Sequence, residues 1–327
     1  MTNKRVMIID SLNLFIRCYV VDPSIGTNGS PIGGLKGYFK SLQKLIRQIK
    51  PDEVVIVWDG PGGSQKKRTI VKDYKEGRKP VRLNRNIQTL NENEEQNNQQ
   101  WQQYRIFEYI NQTPIIQFLE PGIEADDLIA LVAQSEKYKD WNKVIVSSDK
   151  DFIQLCDQTT ILFRPIQDEV KTFKTTIEEY SIHPNNFALA RSIDGDKSDN
   201  IKGIDGVGLK TVSKYLPFLI EEKSYLISEI ETFCQAKVEE KSKTKFYQSI
   251  VDNIDLVKRN YSLMQLYSPN LSVQVAQKTR HILSDFKPEL NQTTFNTMMI
   301  QDGFGDVNFE EMFAMMRRIV RDHGVSA

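Results

Sequence analysis

The chain alternates short, fully apolar runs with longer stretches of helical period. Arg5–Asp10 (RVMIID) and Glu53–Trp58 (EVVIVW) read as strands covered on both faces. Between them, Leu35, Tyr38, Phe39, Leu42, Leu45, Ile46 and Ile49 recur with the helical period, and Lys50-Pro51 stops that helix. Strand, helix, strand in this order implies a parallel sheet with a right-handed crossover. Further strands are expected at Thr113–Leu119, Lys143–Val146, Thr159–Phe163 and Val170–Phe173, the last paired antiparallel. Helices are expected over Glu124–Tyr138, Thr175–Tyr180 and Asn185–Ile193, from Leu209, and through most of the chain beyond Tyr215. Asn84–Gln103, rich in Asn, Gln and Glu, is either a polar helix or a mobile connector. Phe309, Met312, Phe313, Met316 and Ile319 have the spacing of a packing face. The expected fold is α/β: a mostly parallel sheet flanked by helices, with a helical C-terminal region. The domains are 1–182, the catalytic α/β part, and 183–327, the helical part.

The apolar runs end in acids. Asp10 closes the first strand, Asp59 follows the second, Glu124, Asp126 and Asp127 follow the third, and Asp149 and Asp151 follow the fourth. A single acid at a strand end can simply cap the next helix, and acids in a helix's first turn are favoured by its dipole. Acids on successive strands of one sheet describe a site. Asp196 and Asp199, in Gly195-Asp196-Lys197-Ser198-Asp199-Asn200, are spaced to share an ion, or simply form a polar turn. Oxygen donors without Cys or His suit Mg²⁺ or Mn²⁺, and nine carboxylates exceed the needs of one ion.

Composition narrows the field. The 327 residues are 39% hydrophobic and 26% charged, with a formal net charge of zero. Nucleic-acid binding therefore depends on charge being segregated. It is: Pro61–Arg85 holds Lys66, Lys67, Arg68, Lys72, Lys75, Arg78, Lys79, Arg82 and Arg85 against Asp73 and Glu76. Tyr74 lies among these cations, a combination suited to phosphates and unpaired bases, although a charge run can also be a solvated helix face. Gly203, Gly206 and Gly208 in GIDGVGLKT make a tight turn that can hold a backbone phosphate at the start of a helix. Three scattered histidines exclude a Ser-His-Asp triad and a zinc site. Three distant cysteines suit a reducing cytoplasm, and no apolar run could span a membrane.

With these motifs in place, the sequence resembles the 5′-nuclease superfamily. It includes flap endonucleases, the 5′→3′ exonuclease part of bacterial DNA polymerase I, and phage 5′-exonucleases and ribonuclease H enzymes. The resemblance covers roughly 5–260 and rests on IID, VVIVWDG, GIEADD, SSDKD, GDKSDN and GIDGVGLKT in the family's order. Ser11, where many members have Gly, and the Gly60–Gly63 entry to the basic segment depart from the pattern.

The resemblance implies a helical arch over 61–85, in which Lys75 and Arg78 act on the scissile phosphate. It also implies a helix-hairpin-helix module around 200–216. It places Asp10, Asp59, Glu124, Asp126 and Asp149 around a first ion, Asp127 orienting them, and Asp151, Asp196 and Asp199 around a second. Asp10 and Asp149 are the acids central to catalysis. Arg17, Lys66, Lys67, Arg68, Lys72 and Tyr74 would meet DNA, as would the hairpin with Gly203, Gly206, Gly208, Lys210 and Thr211. The implied activity is Mg²⁺-dependent 5′→3′ exonuclease or flap-endonuclease cleavage, with ribonuclease H activity as a further possibility, Mn²⁺ substituting for Mg²⁺. Substrates would be DNA with 5′ flaps, nicks or ends, and RNA–DNA hybrids, cut during replication and repair. Expected partners are replication proteins such as a single-strand-binding protein or a clamp. The expected form is a stand-alone cytoplasmic monomer in a bacterium or a phage-infected cell, without a polymerase segment. Three rivals stay open: a PIN-type ribonuclease, a non-catalytic nucleic-acid-binding paralogue, and an Asp-x-Asp phosphatase. The hairpin and basic segment oppose the first, the full set of acids the second, and the lone Asp10 on the first strand the third.

Overall fold

The structure, a computed structural model, describes residues 4–78 and 81–324. In chain order the elements are β1 (Arg5–Asp10), α1 (Ser11–Val21), α2 (Gly33–Ile49), β2 (Glu53–Trp58), α3 (Gln65–Ile70), α4 (Glu92–Ile110), β3 (Ile116–Leu119), α5 (Ala125–Ala133), β4 (Asn142–Val146), β5 (Thr160–Arg164), β6 (Glu169–Lys171) and α6 (Phe173–Tyr180). They continue with α7 (Phe187–Asp194), β7 (Gly195–Asp196), β8 (Ile201–Lys202), α8 (Leu209–Tyr215), α9 (Ile227–Glu239), α10 (Phe246–Asp252), α11 (Ile254–Met264), α12 (Val273–Asp285), α13 (Gln292–Gln301) and α14 (Glu310–Gly324).

The main sheet has the order β3-β2-β1-β4-β5-β6. Its first five strands in this order are parallel, and β6 runs antiparallel to β5. From β1 the chain builds outward to β2 and β3, then returns to the other side for β4 and β5. The β1–β4 boundary is therefore the switch point of the sheet, where the loops leaving the two strands part and open a crevice. Register aligns the acids there. Asp10 is level with Val57 of β2, and Ile9 with Val146 of β4. Asp59 and Asp149 follow within a few residues of these positions.

Alternate residues feed two cores. Val6 and Ile8 face one core with α5, α7 and α8, whereas Met7 and Ile9 face the other with α1, α2 and α4. This is why the strands read as unbroken apolar runs. The second core also takes in α13 and α14. Phe295 meets Phe39, Tyr109 and Phe313 with ring centroids 5.2, 4.7 and 5.2 Å away. Phe309, Met312, Phe313, Met316 and Ile319 are all buried, as a packing face requires.

The Asn/Gln/Glu-rich stretch 84–103 is helical from Glu92 onward and irregular before it. Asn91 caps α4 through a reciprocal bond with Glu94. Gln102 is buried because its amide satisfies the Leu35 N–H in the first turn of α2 and the Pro31 carbonyl. Asn91→Ala is expected to destabilise the protein by about 1 kcal/mol, read from the midpoint of urea denaturation. Several expected bounds contract, and the strand expected over Val170–Phe173 ends at Lys171. The third strand begins at Ile116 rather than Thr113, and the helix expected over Glu124–Tyr138 ends at Ala133, with a separate single turn at Glu136–Tyr138. The side chain of Gln134 bonds the carbonyls of Ala130 and Leu266 at that end.

Candidate active site

The acids at the strand ends serve both as caps and as walls of a cleft. Asp10 is the N-cap of α1, accepting the Asn13 N–H at 3.2 Å, and its other oxygen accepts the Ser147 hydroxyl at 2.9 Å. Asp149 accepts the Asp151 N–H at 2.8 Å. Asp59 accepts the Ala125 N–H at 2.9 Å, which ties the end of β2 to the start of α5. Together with Asp126 and Asp196, these three line a cleft of about 410 Å³ whose rim includes Lys75, Arg78 and Arg191.

Crowding marks the site electrostatically. Burial and then the neighbouring Asp59 push Asp10 up to about 7, against the opposing bonds from Ser147 and Asn13. Burial and then Asp151 push Asp149 up to about 7. Burial and Asp149 raise Asp126 well above the carboxylate range, and burial raises Asp151. Burial would raise Asp196 too, but bonds from Ser198 and the Arg191 guanidinium outweigh it and hold that carboxyl low. Several carboxyls held above their ordinary range at adjoining strand ends mark the cleft as the candidate functional site.

The basic segment closes over one side. Its helix, α3, is followed by consecutive turns through Gly77. The Lys67 and Lys75 ammonium groups each lie 2.6 Å from an oxygen of Glu124, and the Tyr74 hydroxyl donates to the same carboxylate at 3.2 Å. Burial would raise Glu124, but the two lysines outweigh it and lower its pKa. Arg78 pairs with Asp199. Arg191 bonds Asp151, Asp196 and the Gly195 carbonyl at once.

All-oxygen donors crowded against one another fit a hard divalent cation, and the three cysteines are buried elsewhere. Among the described residues, however, no three acid, His or Cys side chains close on one point as a finished ligand set.

Several expected positions come out differently. Glu124 is the residue before α5, not in its first turn, and it faces the basic segment. Asp127 follows Asp126 and is turned about 100° from it on the helix. Its carboxylate accepts the Asn270 N–H, and it does not line the cleft. Asp151 and Asp199 also lie outside the lining, each held by an arginine. Tyr74 cannot stack on bases. It is 2% exposed and packs on Ile201, Leu263 and Met264. Arg17 is tied to the Pro165 carbonyl at 2.7 Å. Lys66, Arg68 and Lys72 are exposed, Arg82 pairs with Glu92 and Glu95, and Lys79 lies outside the described residues.

The glycine turn leads into α8 as expected, with α7 before it and Lys210 exposed. Gly203 is dictated by packing, since an added Cβ would sit 2.0 Å from the Asp194 carbonyl oxygen. Gly206 adopts φ +76 in open space, and Gly208 precedes the helix in extended backbone, with Thr211 in its first turn.

Sequence reasoning missed Ser147, Asn13 and Arg191. For Arg191 a signal existed: the one cation of the helix FALARSID stands three residues before Asp194 and five before Asp196.

The chain is similar to known proteins in sequence and in fold. The family model of the 5′-3′ exonuclease N-terminal resolvase-like domain matches residues 5–182. The chain is 29% identical over 293 residues to a 5′-3′ exonuclease of Aquifex aeolicus, covering 88% of this chain and 89% of that protein. It is 29% identical over 213 residues to the flap endonuclease Xni of Shewanella woodyi, covering 64% and 76% respectively. The bacteriophage T5 flap endonuclease, crystallised with DNA and metal ions, shares the fold with a TM-score of 0.62 at 17% identity, over 92% of this chain and 100% of that one.

Proposed function

Because the chain belongs to the 5′-3′ exonuclease family, we propose that it cuts phosphodiester bonds near 5′ ends of flapped or nicked DNA and of RNA–DNA hybrids, using Mg²⁺. The observation that carries this reading is the acid-lined cleft at the sheet's switch point, with Lys75 and Arg78 on its rim. Divalent ions bound there would supply a metal-activated water and neutralise the phosphate. Asp10, Asp59, Asp126 and Asp149 are the residues that would hold the first ion, with Glu124 beside them. Asp151, Asp196 and Asp199 would hold a second once it displaces their partners Arg191 and Arg78, and Mn²⁺ would substitute.

Lys75 and Arg78 then face the scissile phosphate and stabilise charge as it develops. Exposed Lys66, Arg68 and Lys72 track the backbone leading into the cleft, with Lys67 beside Glu124 at its mouth. The Gly203–Thr211 turn, with Lys210, grips duplex phosphates without reading sequence. In this reading 1–182 performs the chemistry and 183–327 sets the register on DNA. Among the described residues no helix is long and apolar enough to cross a membrane.

The test is cleavage of matched 5′-labelled flap, nicked and RNA–DNA substrates, with product lengths read on a gel. EDTA is expected to abolish cleavage, and Mg²⁺ or Mn²⁺ to restore it. Mg²⁺ at a hundred times its Kd is expected to add about 2.7 kcal/mol to stability, measured by thermal denaturation. Undiminished cleavage in EDTA would remove the metal from the mechanism.

A further inference from the structure

The turn that carries Lys75 is fastened to another part of the molecule by a residue with no role so far. Asn200 sits at the tip of the β7–β8 hairpin, beyond Asp196 and Asp199. Its side-chain amide donates to two main-chain carbonyls of the Lys75 turn, Asp73 at 2.9 Å and Glu76 at 2.7 Å. The Lys75 N–H in turn donates to the Asp199 carbonyl at 3.1 Å, and Arg78 Nε to the Ser198 carbonyl at 3.3 Å. Tyr74, buried against Ile201 of the same hairpin, anchors the turn from below.

Two backbone conformations make this contact specific. Lys75 and Asn200 both adopt left-handed φ, +55 and +57. Asn tolerates that region and Lys does not favour it. A lysine persists there only where its surroundings hold it, and here what holds it is the hairpin tip. Released to negative φ, the Lys75 backbone would send its side chain in another direction. The direction it now takes ends 2.6 Å from Glu124 at the rim of the cleft.

We infer that Asn200 is a positioning residue for Lys75, clamping the Asp73–Glu76 turn to the β7–β8 hairpin so that the lysine is aimed into the cleft. The inference rests on the role proposed above for Lys75. It also couples two parts of the site mechanically: the hairpin that carries Asp196 and Asp199 sets where the lysine stands.

The experiment uses the full chain with Asn200→Gly, which keeps the left-handed backbone and removes the amide. A second variant, Asn200→Asp, keeps the shape but turns an oxygen toward the two carbonyls. Both are expected to lower kcat on a saturating flap substrate by about 10- to 100-fold, with KM within about threefold. In a Lys75→Ala background the same changes are expected to cause no further loss, because they act through the missing side chain. In EDTA, trypsin is expected to cut after Lys75 and Arg78 faster in the variants than in wild type.

Wild-type kcat in both variants, losses that multiply with Lys75→Ala, or unchanged tryptic cleavage would each overturn the inference. If Lys75→Ala itself keeps wild-type kcat, the role of Lys75 fails and the positioning claim falls with it. A large loss in Lys75→Ala beside an active Asn200→Gly sinks the clamp alone.

Discussion

Asp149→Asn is expected to slow cleavage about a thousandfold, the equivalent of the several kcal/mol that a bound ion contributes to the transition state, while DNA affinity changes little. The amide preserves shape and keeps an oxygen to accept the Asp151 N–H, so the turn after β4 stays capped. What disappears is a charge on the wall of the cleft. A single-turnover rate with gel-shift binding on the same flap substrate separates the two effects, and a variant cutting at the wild-type rate would contradict the assignment. The same substitution has a second signature. Burial and then Asp151 raise the Asp149 pKa to about 7 from an ordinary 3.8. An acid that binds its proton more tightly when folded weakens the fold as pH rises from about 4 to about 7. In EDTA the variant should therefore melt above wild type at pH 8, and the difference should shrink toward pH 4.

Lys75→Ala is expected to lower kcat by about a hundredfold with little change in KM, as befits an interaction made mainly in the transition state. Its ammonium is already at the rim of the cleft, mostly buried, with Glu124 and Asp126 favouring its charge over the opposing effect of burial. Because it is shielded from solvent, the charge acts on a phosphate with more force than a surface lysine would. A change confined to KM would make Lys75 a docking residue.

The sheet and its acids were legible because they obey local rules. β1 and β2 are buried on both faces, so they read as unbroken apolar runs, and parallel strands bring their C-terminal ends to one edge. Asp10, Asp59 and Asp149 needed nothing more. The remainder depends on contacts between remote parts of the chain. Ser147 reaches Asp10 across 137 residues, and Asn200 reaches Asp73 across 127. Tyr74 was misread because the segment around it is basic, whereas its ring is buried against Ile201, Leu263 and Met264 and covered by the Lys67 and Lys75 ammonium groups, 5.7 and 5.1 Å from its centre. Asp127 parts from Asp126 as helix geometry requires. It stands beside Asp126 in the string, but one step along a helix turns its carboxylate away from the cleft.

The aromatic contact between Phe295 and the Phe39–Tyr109 pair bears on how short a working fragment can be. The resemblance read from the sequence ends near residue 260, which invites trimming there. A fragment so trimmed would uncover Phe39, Leu42 and Tyr109, all fully enclosed in the intact protein. A greasy patch on the back of α2 and α4 would then meet water, and such fragments should clump or bind chaperones even with every acid of the cleft in place.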